Sequence, residues 1–176
     1  MASQLRVDKI LPVDGAPTSG GGGIVQIVSA TKVDRQLSNS SSYVDVTGMS
    51  VSITPTRSDS KIFIMINVHV GGDQASYLAF RVLRDSTVVT QGTHATGNRT
   101  NVSFGGRIDQ DYDNYMMSFN FLDSPSTTSA TTYKLQVSDA YDSSNRNIVI
   151  NGTGDDANDS YTLCGTSTIT VMEVTG

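Results

Sequence analysis

From Ile24 onward the chain alternates apolar and polar residues in short runs, separated by turn-forming clusters roughly every 8–15 residues. This pattern predicts strands at Ile24–Val33, Tyr43–Val46, Met49–Thr54, Lys61–Val70, Tyr77–Arg84, Thr87–Gln91, Asn101–Ile108, Tyr115–Leu122, Thr131–Ser138, Asn147–Ile150, Tyr161–Cys164 and Ser167–Val174. The separators are rich in Gly, Asn, Asp and Ser, as in Asn39-Ser-Ser-Ser, Gly71-Gly-Asp73, Asp142-Ser-Ser-Asn and Asn151-Gly-Thr-Gly154. No window carries a helical period long enough to place a helix. Many short strands at this spacing imply two packed antiparallel sheets, a sandwich or barrel.

The strands fall into two kinds. In Thr131–Ser138, Tyr133, Leu135 and Val137 share one face while Lys134, Gln136 and Ser138 share the other, which predicts one dry face and one wet. The stretch Ile62-Phe-Ile-Met-Ile66 is apolar on both faces, and Met116, Met117, Phe119, Phe121 and Leu122 also populate both. A sandwich needs only its inner face dry, so a partner subunit or a covering loop is expected on the outside. The predicted core is Ile62, Ile64, Ile66, Leu78, Phe80, Val82, Phe119, Phe121, Tyr133, Leu135, Val137, Ile169 and Val171.

Residues 1–23 stand apart. Leu5, Val7, Ile10, Leu11 and Val13 are too few to form a core, and they lead through Pro12 and Pro17 into Gly20–Gly23. Four glycines are costly to order and offer nothing to pack. The expected organisation is a docking arm and hinge over 1–23 and one domain over 24–176. An extended arm of this kind docks on another protein or a neighbouring copy by adding to a sheet edge.

Composition narrows the function. Ser, Thr, Val, Ile, Gly and Asn dominate, Trp is absent, and Glu occurs once, at Glu173, consistent with strands and polar loops. The 176 residues suit one medium domain that needs no staple, and the single Cys164 cannot form an intrachain bridge; it reads as a small buried hydrophobe. Net charge is −5, and no Lys/Arg run offers a nucleic-acid or anionic-membrane surface. No apolar stretch is long enough to span a bilayer, and the opening residues lack the apolar segment of a signal peptide.

The sequence carries no catalytic constellation of known spacing. His69 ends an apolar strand and His94 lies in a polar loop; no paired-His or Cys/His metal spacing and no nucleophile elbow occurs. Gly20–Gly23 lacks the Lys-Ser/Thr of a phosphate loop. Asp109, Asp111 and Asp113 alternate as Ca²⁺ ligands could, but Asn114 and Asn120 stand where an EF-hand loop needs Gly and Glu, which favours a solvated acidic tip. Asp155, Asp156 and Asp159 form a second such loop. No cofactor is expected. A carbohydrate-active enzyme remains an alternative without support from spacing.

Four sets of residues carry a resemblance. Leu5-Arg-Val-Asp-Lys-Ile10 with Pro12 and Gly15, then Gly23-Ile-Val-Gln-Ile-Val28, open the chain. Tyr43-Val-Asp-Val-Thr-Gly48, Ser52-Ile-Thr-Pro55 and Ser60-Lys-Ile62 follow, and Gly165-Thr-Ser-Thr-Ile169 with Val171-Met-Glu173 close it. Together they resemble tail-fibre and other virion structural proteins of bacteriophages, notably those of marine cyanobacteria. The resemblance implies a jelly-roll sandwich of the complement C1q/tumour-necrosis-factor shape that assembles as a homotrimer. It gives the two-sided strands a use: Phe63, Met65, Met116, Leu122, Met172 and Val174 would be buried between subunits, with a twofold dimer as the rival assembly. It further implies a short tail fibre or appendage, assembled in the host cytoplasm and located on the virion. The arm would be anchored to other virion proteins, and the loops could meet a host surface glycan or protein. Long-shaft repeats are missing, so a head decoration protein that cements the capsid is the alternative. These marks are packing and turn motifs, and they speak for lineage rather than activity.

Overall fold

The computed structural model describes residues 23–94, 96–141 and 146–174. Among these there are eleven strands and no helix. They are β1 (Ile24–Lys32), β2 (Gln36–Ser38), β3 (Val44–Ile53), β4 (Lys61–Gly72), β5 (Tyr77–Arg84), β6 (Thr87–Thr90), β7 (Phe104–Arg107), β8 (Asn114–Asp123), β9 (Thr131–Asp139), β10 (Ile148–Ile150) and β11 (Ser167–Val174). The docking-arm residues Leu5, Val7, Ile10, Leu11 and Val13 lie outside the described residues.

All pairings are antiparallel. One sheet runs β1-β11-β4-β8, with β10 continuing beside the far end of β4 and β2 pairing β10. The other runs β3-β9-β5, and the outer edge of β5 is shared by β6 and β7. Counting β6 and β7 as one broken strand and setting aside the short β2 and β10, eight positions remain. In chain order they read 1-8-3-6 in one sheet and 2-7-4-5 in the other. Two interlocked Greek keys of this order make a jelly-roll sandwich.

The core lies between the sheets. Ile62, Ile64, Ile66, Val68 and Val70 of β4 face Phe80 and Val82 of β5 and Tyr133, Leu135 and Val137 of β9, and all are buried. The alternation in β4 is strict: even positions are buried, and the odd positions from Phe63 to His69 are half-exposed. Eleven of the thirteen predicted core residues are fully buried; Phe119 and Phe121 are only half-buried. They sit on β8, an edge strand, where the sandwich opens. Phe80, Phe104, Phe119 and Phe121 stack in sequence there, with centroids 4.8, 5.4 and 6.4 Å apart, and close that side.

Four expectations are corrected. Tyr161–Cys164 is not a strand: it belongs to the 151–166 connection, exposes Tyr161, Leu163 and Cys164, and pairs with nothing. Cys164 is thus an exposed thiol and not a buried hydrophobe. The runs at Tyr43–Val46 and Met49–Thr54 form one strand, β3, interrupted by a bulge at Gly48, whose φ is +83°. The polar face of β9 is not bare, for Gln136 and Ser138 are buried. Arg81 and Tyr43 lie across it, the guanidinium 4.1 Å from the ring centre, and Gln136 accepts from Arg81 Nε at 2.7 Å.

Candidate functional site

The register of the six-stranded sheet decides what its outer face presents. Ile27 of β1 lies opposite Met172 of β11, Met172 opposite Phe63 of β4, and Phe63 opposite Leu122 of β8. Four apolar side chains therefore stand in one row across four strands, a width of about 15 Å. Above the row Ile24 pairs Val174; below it Ser29, Thr170, Met65 and Asn120 align. The next row, Thr31, Thr168, Asn67 and Ser118, is wholly polar, and Ser118 donates to Asn67 Oδ1 at 2.6 Å. Ile27 is 57% exposed and Leu122 51%, so the apolar row meets solvent in the single chain.

The six residues singled out from the sequence as interface residues all fall on this face. Phe63, Met65, Leu122, Met172 and Val174 gather at and around the apolar row. Met116 does not: it is paired with His69 beyond the polar band, towards the other end of β4. Ile24 and Ile27 complete the patch and were not singled out, because β1 alternates weakly and its partner strand could not be known from the pattern.

Directly beneath this patch lies the chain's only glutamate. Glu173 is fully buried on the inner side of β11. Its Oε1 accepts from Thr56 N, Thr56 Oγ1 and Ser60 Oγ, each at 2.7 Å, and its Oε2 accepts from Gln26 Nε2 at 2.6 Å. Gln26 also donates to Thr54 O at 2.7 Å. Burial alone would raise the carboxyl, but these donors outweigh it and hold the pKa at about 2. Gln26, Thr54, Ser60 and Glu173 come from the separate motif segments that carry the family resemblance. The fold draws those segments together on one carboxylate, so the motifs describe a structural lock.

At the opposite end of the sandwich the two acidic loops meet. Asp155 N donates to Asp111 O at 3.0 Å, joining the 108–113 and 151–166 connections. The three carboxylates weighed as Ca²⁺ ligands turn to different partners. Asp109 pairs with Arg107, Asp111 Oδ1 accepts from Gln74 N, and Asp113 Oδ2 accepts from Gln110 N at 3.0 Å. Among the described residues no three His, Cys, Asp or Glu side chains are grouped as metal ligands. The same end exposes Tyr77, Tyr112, Tyr115, Tyr141 and Tyr161. Tyr77 and Tyr141 pack with centroids 5.5 Å apart, Arg107 lying over the former and Arg146 over the latter. The phenols of Tyr115 and Tyr161 are pushed up, first by hydrogen bonding to Asp113 and Asp159 and then by desolvation.

The two histidines lie on separate elements. His69 faces outward from β4, its ring covered by the backbone at Gly165, where an added Cβ would stand 2.2 Å from Cγ. His94 lies in the connection after β6, with Nε2 3.1 Å from Arg99 Nη1. Among the described residues neither is joined to a nucleophile or to a second acid or base.

No known protein family matches the chain, and no curated protein does. Among solved structures it is similar to particles of infectious bursal disease virus. The Gt strain structure aligns at 12% identity with a TM-score of 0.44, covering 99% of this chain and 44% of that one. The Gx strain aligns at 14% and 0.44, covering 97% and 43%. The VP2 subviral particle aligns at 13% and 0.40, covering 97% and 44%. The chain thus spans less than half the length of the viral chains it matches. At these scores the likeness adds nothing to the jelly roll already read from the strand order.

Proposed function

We propose that the chain is a non-enzymatic structural protein of a virus particle, a homotrimeric module of a short tail appendage whose copies associate through the outer face of the six-stranded sheet. The observation that carries the association is the row Ile27–Met172–Phe63–Leu122, which is continuous across four strands and exposed at both ends. An apolar patch of this kind, rimmed by Ser, Thr and Asn, is the ordinary anatomy of a subunit contact. The jelly-roll strand order and the phage-like motif segments support the virion reading.

The direction of the chain favours an appendage over a capsid cement. Ile24 pairs Val174 at the Lys61 end of the sheet, so residues 1–22 connect to the domain there. The exposed tyrosines and acidic loops lie at the Gly72 end. The twelve residues of β4 separate the two ends by about 40 Å. A domain entered by the chain at one pole, with polar, tyrosine-rich loops at the other, suits a module held at its base with its far end turned to the host.

The association is tested by light scattering on the full chain and on Phe63→Asp and Leu122→Asp. The parent is expected at three times the chain mass of 18.7 kDa, and each variant as a folded monomer. A monomeric parent at micromolar concentration, or a dimer, overturns the trimer. Gold labelling of intact particles tests the location: label at the tail supports an appendage, and label over the head replaces it with the cement reading.

A further inference from the structure

The 108–113 and 151–166 connections border an open hollow of about 350 Å³, lined among the described residues by Tyr112, Asp155 and Tyr161. We propose that this hollow binds an organic cation, a substituted ammonium group, against the tyrosine side chains that line it, with Asp155 as its counter-charge. The site lies within one chain, so it stands independently of how copies associate.

The charge balance points to a cation. Of the six aspartates on these loops, two have cationic partners, Asp109 in Arg107 and Asp156 in Arg35. Asp111, Asp113, Asp155 and Asp159 have no ion pair with any Lys, Arg or His among the described residues. Asp155 uses Oδ1 to accept from Ala157 N at 3.1 Å, and its other oxygen has no hydrogen-bond partner among the described residues.

The lining also selects the kind of cation. A bare metal ion needs several converging oxygens, and no such group is gathered. Aromatic faces, by contrast, attract alkylated ammonium groups through the ring quadrupole, and they tolerate the apolar substituents that such groups carry. Hydroxyl-rich neutral ligands need donors as well as acceptors. Tyr161 OH is committed to Asp159 Oδ2 at 2.8 Å, so among the described residues the lining side chains offer only the Tyr112 hydroxyl as a donor. The volume lies near the lower end of small-ligand pockets, about 300–1,000 Å³.

The walls are set in place before any ligand arrives. Asp155 N is held by Asp111 O, and Thr153 Oγ1 donates to Asp155 O. Thr162 N closes a turn on Asp159 O at 3.1 Å. At the root of the connection Asn151 is buried and donates Nδ2 to Lys32 O and Asp34 O, while its Oδ1 accepts from Ser167 Oγ. Fixed walls spare the ligand the cost of ordering them.

The test is titration of the full chain with tetramethylammonium chloride, followed by amide chemical shifts. Potassium chloride at equal ionic strength and tert-butyl alcohol, a neutral molecule of similar shape, serve as controls. Saturable shifts in residues 108–113 and 151–163 are expected with tetramethylammonium alone. Tyr112→Ala, Tyr161→Ala and Asp155→Asn should each weaken binding about fivefold or more, whereas Tyr161→Phe, which keeps the ring, should retain it. Thermal midpoints report that the variants remain folded. Equal shifts with tert-butyl alcohol or with potassium chloride, or undiminished binding by Asp155→Asn, overturn the proposal.

Discussion

Glu173 joins β1, the connection before β4, and β11 through a single carboxylate with four donated hydrogen bonds. Glu173→Gln keeps the shape but turns an amide N–H₂ towards donors that need an acceptor. The expected cost is roughly 1–3 kcal/mol, read as a lower urea midpoint with an unchanged slope. The pH dependence has a definite sign. The folded pKa, about 2, lies below the ordinary value of 4.5, so the folded state favours the ionised form. Its stabilisation is fully present above pH 4.5 and is lost as pH falls towards 2. The urea midpoint of the parent should drop across that window, and Glu173→Gln should show a shallower drop. In the sequence this residue is the sole glutamate and the end of the closing motif; its role depends on Gln26, Thr56 and Ser60, which lie more than 110 positions away in the chain.

At the scale of single strands, β3 shows why a pattern can be right in its parts and wrong in its joints. Val46 and Met49 are both buried although they are three positions apart, which a regular strand forbids. The bulge around Gly48 resets the alternation, so that Met49, Val51 and Ile53 continue inward. A Cβ at Gly48 has room, its nearest neighbour being Lys32 Cβ at 3.7 Å, so the obstacle is the positive φ alone. Gly48→Ala should therefore cost roughly 1–2 kcal/mol without displacing Lys32. A thermal melt checks the cost, and the amide shifts of Lys32 check the packing. A larger loss with new shifts at Lys32 would mean that the bulge itself had moved.

For the whole molecule, the prediction concerns the two poles. Burying four or five apolar side chains of residues 3–14 at about 1.5–3 kcal/mol each offsets only part of the entropy of ordering a dozen residues. One arm would hold weakly, and three joined through the proposed trimer would hold by effective concentration. Deletion of residues 2–19 should leave a chain that folds and associates as the parent does but fails to join particles, measured by sedimentation with purified virions. Normal incorporation of the shortened chain would remove the anchoring role from the arm.

By itself the sequence determined the all-β class, ten of the strand positions at least in part, most of the core and the existence of apolar residues on the outside. These follow from short-range alternation and turn chemistry, which act over a few residues and are written directly in their order. Only the tertiary structure decided that Ile27, Met172, Phe63 and Leu122 form one row, because that depends on which strands pair and in what register. The same holds for the lock at Glu173 and for the pocket, where Tyr112 and Tyr161 come from connections almost fifty residues apart. A charge run such as Asp109–Asp113 tells its own composition, but whether its carboxylates converge or turn to separate partners is fixed by the backbone that carries them.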